Sequence, residues 1–395
     1  MMRLNRTGAL QCTAAMAIAL VACSEPTATP ASGPPAPQAS VKFWEAGASV
    51  AWNKTARDLI VSRGPNTPVA QVRILTYLSV AQYNAVVTAE DAKDSGEHAS
   101  GAAASAAASL VVLKSFFPLD QVFLDGLLAA QEAATAPGGE KNRSFAAGEA
   151  IGRAIGALVV AYAASDNTNL TPVPVNPGGV GYWTGVNPIR GLYGARTFAL
   201  TSGDQFRPAP PPRPGSPEFE SAAAEALAIS SGLTAGQLAI AQLWAGRGAA
   251  YMNLVAAEMI VAHHRTEREA ARVFALANMA GFDVLNACFD AKFAYYLVRP
   301  SEFNPAIQLQ IAMPNHPSYP SGHSCTTAAY AEVLAREFPE NAGVVDAMVV
   351  EAGLSRNYGG LHYKFDCEVG QELGRQVANY VMQTAPGRHS PIPLD

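Results

Sequence analysis

Residues 67–89 read TPVAQVRILTYLSVAQYNAVVTA. Thr67 offers a hydroxyl N-cap, and Pro68 takes the first helical position, where a missing N–H costs nothing. Val69, Val72, Leu75, Leu78, Val80, Ala81 and Val86 then recur at helical spacing. The same character extends outward. Stretches 99–117, 119–135 and 142–164 are alanine-rich and are separated by Pro118 and by Pro137-Gly138-Gly139. Alanine has the best helix propensity. Residues 165–217 differ sharply, with five prolines clustered from Pro208 to Pro214 and glycines at Gly178 and Gly179. A loop this long inside a compact protein is usually functional, and Tyr182, Trp183, Phe198 and Phe206 give it side chains to pack. Helical patterning resumes near Ser216. Thr234–Gln237 and Thr266–Glu269 have capping-box spacing, and the run from Thr266 reaches about Leu297. Further helices are expected over 322–337, 341–356 and 366–384, with a loose tail from Pro386. The fold class expected is all-α: two helical bundles, 41–164 and 218–385, joined by the Pro/Gly-rich loop 165–217 and followed by the tail 386–395.

Composition narrows the partners. The chain has 395 residues, 49% of them hydrophobic, enough for a sizeable core. A net charge of −5 argues against nucleic acid, which needs a basic face. No run after residue 30 reads as long and apolar enough to span a bilayer. The nearest, Ala154–Ala164, reads as a buried helix. At the N-terminus, Arg3 and Arg6 precede a short apolar stretch that ends in Leu20-Val21-Ala22-Cys23. This resembles a bacterial lipoprotein signal over residues 1–22, with Cys23 lipidated; an ordinary secretory signal is the alternative. Residues 23–40, rich in Pro, Ala, Ser and Thr, suit a flexible tether. Ser24, which is not acidic, implies the outer membrane, facing the periplasm. Membrane contact is thus expected only through the anchor. Cys288, Cys325 and Cys367 read as buried thiols acting as small hydrophobes. A Cys325–Cys367 bridge is the alternative.

Three motifs in the last third carry the chemistry. Lys292 is followed by Arg299-Pro300, and the spacing predicts both cations on one face of a single helix that Pro300 ends. Pro320-Ser321-Gly322-His323 is a turn into a helix. Ser321 is its N-cap, Gly322 permits close backbone approach, and His323 lies in the first turn, where the helix dipole favours an anion. Ser355-Arg356 is followed by His362 and Asp366. Asp366 stands one turn after His362, placed to accept from the ring nitrogen facing away from the site. Three cations with two histidines suit a tetrahedral oxyanion and proton transfer on it.

These motifs resemble those of the type 2 phosphatidic acid phosphatase and vanadium haloperoxidase superfamily. The resemblance covers about residues 292 to 366. It implies that Lys292, Arg299, Ser321, Gly322 and Arg356 hold an anion's oxygens and that His323 is the acid–base. His362 would be the axial vanadium ligand in a haloperoxidase, or the covalent nucleophile in a phosphatase. A chain with two helical halves looks more like the soluble bacterial haloperoxidase branch, for which the cofactor is vanadate and the substrates are hydrogen peroxide and halide. The phosphatase alternative needs no cofactor and takes a phosphate ester, and a non-catalytic oxyanion binder is a third reading. Ser202-Gly203-Asp204-Gln205-Phe206-Arg207-Pro208 resembles a loop of the haloperoxidase branch, and His316 resembles an additional histidine of bromoperoxidases. Phe289 and Val298 stand where many members carry tryptophan, and the short gap from His323 to Ser355 is as in phosphatases. His316 and Phe289 are therefore the candidate halide-side residues. His263-His264 reads as a solvated charged helix end, and His98 and His389 as surface residues.

Overall fold

Proline, glycine and N-cap hydroxyls punctuate thirteen α-helices in the computed structural model, which describes residues 37–92, 99–134 and 144–394. The signal segment, Cys23, most of the tether and His98 lie outside the described residues. Before the loop come α1 (Pro37–Arg63), α2 (Pro68–Asp91), α3 (Gly101–Phe116), α4 (Gln121–Ala134) and α5 (Phe145–Ala164). After it come α6 (Pro217–Ser231), α7 (Ala235–Ala245), α8 (Ala249–Ala262), α9 (Glu267–Tyr295), α10 (Pro300–Phe303), α11 (Gly322–Glu337), α12 (Ala342–Tyr358) and α13 (Lys364–Thr384). Among the described residues no strand forms; there are only the isolated bridges Ala99–Ser144 and Tyr182–Leu297. Helix α1 opens at Pro37, so the last residues assigned to the tether are helical.

The expected caps form. The Thr67 hydroxyl accepts from the Ala70 amide, and Thr234 with Gln237 and Thr266 with Glu269 close reciprocal capping boxes. Their sequence signals are local, so tertiary packing had little to override.

The helical sets on either side of the loop share one core. Helix α9 is its axis and packs against α1, α2, α8, α11 and α13. This explains a departure from the sequence reading. Two helices, α5 and α9, are long and apolar enough to cross a membrane by length and composition. In α9, 94% of the apolar window is buried inside the protein, so its apolar content serves the core. In α5 the figure is 28%, because one face alone packs. Gly148, Gly152 and Gly156 lie against α3, where a Cβ on Gly152 would stand 2.1 Å from the Ala104 carbonyl oxygen.

Residues 165–216 form the long irregular connection, strapped to α9. The Asp283 carboxylate, fully buried in α9, accepts from the amides of Phe198 (2.8 Å), Ala199 (2.8 Å) and Leu200 (3.0 Å). Arg207 makes a bidentate pair with Asp290 (2.6 and 3.0 Å). Phe198 packs among Tyr77, Tyr162 and Phe282, Phe206 packs on Tyr380, and Trp183 is buried. Tyr182 stays at the surface.

Two expectations fail. Helix α9 stops at Tyr295, because Tyr296 turns left-handed (φ 48°) and caps it. Residues 296–298 then pair with the loop: Trp183 N–H donates to the Tyr296 carbonyl, and Val298 N–H to that of Gly181. Arg299 is therefore not on the helix of Lys292. It is the N-cap of α10, held extended by Pro300, which disfavours a helical residue before it. The tail is not loose either. Asn84 pairs with both backbone groups of Ile392, donating to its carbonyl (2.9 Å) and accepting from its amide (2.7 Å).

Asp283→Ala leaves three buried amides without their acceptor. It should lower unfolding free energy by about 3 kcal/mol and raise hydrogen exchange at residues 198–200. Unchanged exchange there, measured by mass spectrometry, would show that the strap is held by other means.

Candidate active site

The site is assembled from the end of α9, the turn 316–321, the start of α11, the end of α12 and the start of α13. Close helix approach makes this possible. Gly370 and Gly374 of α13 lie so near α11 that a Cβ would stand 2.8 Å from the Ser321 carbonyl and 2.5 Å from that of Cys325. Ser321 N–H then donates to the Asp366 carbonyl (2.9 Å).

Lys292, Arg299, Ser321, Arg356, His362 and Asp366 are all buried, and His316 and His323 are half-buried. The ammonium of Lys292 donates to the carbonyls of Pro317 (2.9 Å), Ser318 (2.7 Å) and Pro320 (2.6 Å). An ammonium has three protons, and all are spent on this turn. Arg299 donates to the carbonyls of His316 (3.0 Å) and Leu361 (2.8 Å), to His316 Nδ1 (3.1 Å) and, more weakly, to His362 Nε2 (3.4 Å). Arg356 differs: Nε donates to Ser355 Oγ (2.9 Å), but its buried Nη2 has no partner. Burial pushes Lys292 down to about 8 and both arginines to about 10. A buried guanidinium nitrogen without an acceptor is costly, and an anion would relieve it.

The histidines are oriented from behind. His362 Nδ1 lies 2.9 Å from Asp366 Oδ2, which also accepts from Ser318 Oγ (2.5 Å) and the Tyr363 amide (3.2 Å). The network assigns the proton to Nδ1 and the lone pair to Nε2. Burial pushes Asp366 up to about 6, against Ser318, Lys292 and Arg299, which favour its charge. Burial, then Arg299 and Lys292, hold His362 well below its ordinary value, so its ring is neutral at pH 7. His323 Nε2 donates to the Arg247 carbonyl (3.1 Å), leaving Nδ1 as acceptor. Burial, then Arg356, lower His323 to about 3. His316 meets Phe289 edge-to-face at 5.2 Å. Burial with Lys292 and Arg299 holds His316 well below its usual range.

Gly322, His323, Arg356, His362, His316 and Phe289 line one cavity of about 660 Å³. Gly322 and His323 open α11 on its wall, where the helix dipole favours an anion. Of the residues singled out in the sequence, Lys292, Arg299, Ser321 and Asp366 stand behind this wall. Ser318 and the Arg247 carbonyl were missed. Ser318 lies between two prolines without a capping pattern, and a main-chain acceptor has no sequence signature. Elsewhere, His263 pairs with Glu340 and Asn341. No metal-binding cluster of His, Cys, Asp or Glu exists among the described residues. Cys288, Cys325 and Cys367 are free and buried.

The chain carries a PAP2 superfamily domain over residues 271–390. No curated protein matches it. Among solved structures it is similar to a bacterial vanadium-dependent iodoperoxidase (TM-score 0.71, 20% identity, covering 87% of this chain and 97% of that one). It is also similar to a bacterial vanadium-dependent chloroperoxidase, in apo form (0.66, 12%, 82% and 95%) and holo form (0.63, 13%, 84% and 95%). At such identities the likeness is one of fold.

Arg356→Ala should weaken inorganic phosphate binding roughly 10- to 100-fold, the worth of a charge-assisted pair. Burial first, and Arg356 after it, hold His323 below its ordinary value, so a bound dianion, which offsets Arg356, should raise it. Binding then takes up protons, and affinity tightens as pH falls, beyond the ligand's own titration. Calorimetry in buffers of different ionisation enthalpy reads this directly. Proton release on binding would contradict the assignment.

Proposed function

We propose that this protein is a vanadate-dependent haloperoxidase-like enzyme that oxidises halide with hydrogen peroxide. The observation that carries the reading is the unpartnered Nη2 of buried Arg356, on a cavity shared with His323 and His362. The fold likeness to bacterial vanadium haloperoxidases along nearly their whole length supports it. The donor set fits a tetrahedral oxyanion. Arg356 and the opening amides of α11 would hold vanadate's oxygens, His362 Nε2 would bind it, and Arg299 would contribute charge from behind the wall. When bound, vanadate supplies Lewis-acid activation of hydrogen peroxide toward halide.

The chain's own groups then divide the work. Asp366 and Ser318 fix His362, so that Nε2 keeps its lone pair. The Arg247 carbonyl orients His323, whose Nδ1 takes a proton from peroxide and returns it to the leaving water oxygen. Lys292 contributes charge and ties the turn 317–320 in place. A phosphatase would use the same groups: His362 Nε2 attacks phosphorus, and His323 protonates the leaving oxygen. The short spacing from His323 to Ser355 favours that alternative.

Purified protein loaded with vanadate should oxidise iodide or bromide in a peroxide-dependent reaction, with p-nitrophenyl phosphate hydrolysis near background in vanadate-free enzyme. His323→Ala should cost at least about 100-fold, as expected for a lost acid–base. Absence of halide oxidation at full vanadate loading would sink the reading. A phosphohistidine trapped in wild type and missing in His362→Ala would establish the alternative.

The N-terminal sequence supports an exported site of action, anchored through Cys23 at the periplasmic face of the outer membrane. Metabolic labelling with a palmitate analogue should mark wild type and not Cys23→Ser. Equal labelling of both would refute the anchor.

A further inference from the structure

The mechanism leaves the buried thiols unused, and two of them stand directly behind the site. Cys288 lies one turn before Lys292 on α9, and Cys325 lies four residues after Ser321 on α11. Both are fully buried. The Cys288 thiol donates to the Pro320 carbonyl (3.7 Å), which also accepts from the Lys292 ammonium (2.6 Å). Across the packed α9 and α11, Cys288 and Cys325 share a side-chain hydrogen bond. Burial opposes ionisation of Cys288, but that bond and the charge of Lys292 outweigh it and hold the thiol below its ordinary value. Burial, with the same bond, pushes Cys325 well up. The pair is therefore unequal: Cys288 is the better nucleophile, and Cys325 is a protonated thiol held beside it. Cys367 is engaged elsewhere, donating to the Gly353 carbonyl (3.4 Å) and accepting from Asn357 (3.7 Å), both on α12.

Gly322 gives the pair its access. It lines the cavity and carries no side chain. A Cβ built there would meet one heavy atom outside its own helix within 4 Å, the Cys288 sulfur at 4.0 Å. The sulfur thus lies behind a bare stretch of wall.

From this arrangement we infer that Cys288 and Cys325 are a site of oxidative modification, closed to a disulfide by hydrogen peroxide, and that closure weakens the oxyanion site. The haloperoxidase reading enters only in bringing peroxide to the cavity. The Cys288 sulfur attacks one peroxide oxygen and the O–O bond breaks. The sulfur becomes a sulfenic acid, and the departing hydroxide leaves with the thiol's proton as water. The Cys325 sulfur then attacks the sulfenic sulfur. An S–S bond forms, and hydroxide leaves with the Cys325 proton as a second water. The two thiols lose two electrons, which reduce one peroxide. Closure takes the Cys288 donor from the Pro320 carbonyl and ties α11 to α9 within one turn of Gly322 and His323. The turn that Lys292 holds and the amides that open α11 are both disturbed.

The test uses purified protein, reduced, freed of reductant and treated with excess hydrogen peroxide without vanadate or halide. Alkylation under denaturing conditions and peptide mapping by mass spectrometry should show Cys288 linked to Cys325, Cys367 alkylated, and reversal by dithiothreitol. Calorimetric binding of inorganic phosphate should fall at least about tenfold on oxidation, the usual cost of disturbing groups that orient a site, and return on reduction. In Cys325→Ala, Cys288 should stop at a dimedone-reactive sulfenic acid, while Cys367→Ala should link as wild type does. Wild type alone supplies the linkage and binding readouts, so a variant that fails to fold does not remove the test. Both thiols still alkylated after peroxide, or a bridge through Cys367 instead, overturns the inference. A Cys288–Cys325 bridge that leaves phosphate binding unchanged overturns its control of the site. The bridge in a protein that oxidises no halide supports the inference and sinks only the haloperoxidase reading.

Discussion

Three cations buried at one site are the constraint from which the rest of the structure follows. Lys292, Arg299 and Arg356 are almost wholly removed from water, and the buried Asp366 carboxylate acts on Lys292 and Arg299. Burying like charges together opposes folding. The protein meets the cost with main-chain carbonyls. Lys292 takes three from the turn 317–320, and Arg299 takes those of His316 and Leu361. The turn thus exists in this shape because Lys292 holds it, and Ser318 reaches Asp366 because the turn has this shape. Arg356 Nη2 is left over, buried and without a partner, on a residue that lines the cavity. The unspent positive charge is what an oxyanion would neutralise.

The N-terminal helices and the long loop supply the other half of the site. None of their side chains belongs to the cluster of cations and histidines, yet α2, α3 and the loop line one part of the cavity. The loop is held by charged and polar groups along one face of α9: Asp283 on three amides, Asn286 on the Ala195 carbonyl, and Asp290 on Arg207. Helix α9 therefore positions both halves, the loop through its buried carboxylates and amide, and the turn through Lys292.

Much of this was legible in the sequence because its signals are local. Thr67, Thr234, Thr266 and Ser321 each cap a helix within three residues of themselves, and the prolines between residues 165 and 217 exclude helix without reference to anything distant. The His362–Asp366 pair follows from a spacing of four, though it forms across the N-terminal cap of α13 and not within a helical turn. What was not legible depends on partners far along the chain. Tyr296 ends α9 because residues 296–298 pair with residues 181–183 of the loop, so Arg299 left the helix on which its spacing had placed it. The tail docks because Asn84 meets Ile392, more than three hundred residues away. Lys292 was read as an anion ligand. That its three protons go to carbonyls depends on a turn whose course no spacing reveals.

The central claim is that this cluster forms an oxyanion site on His362. A crystal structure of the protein soaked with orthovanadate tests it most directly. Vanadate density bonded to His362 Nε2 is expected, with Arg356 Nη2 donating to one of its oxygens. Vanadate bound elsewhere in the cavity, with Arg356 Nη2 still without an acceptor, would contradict it.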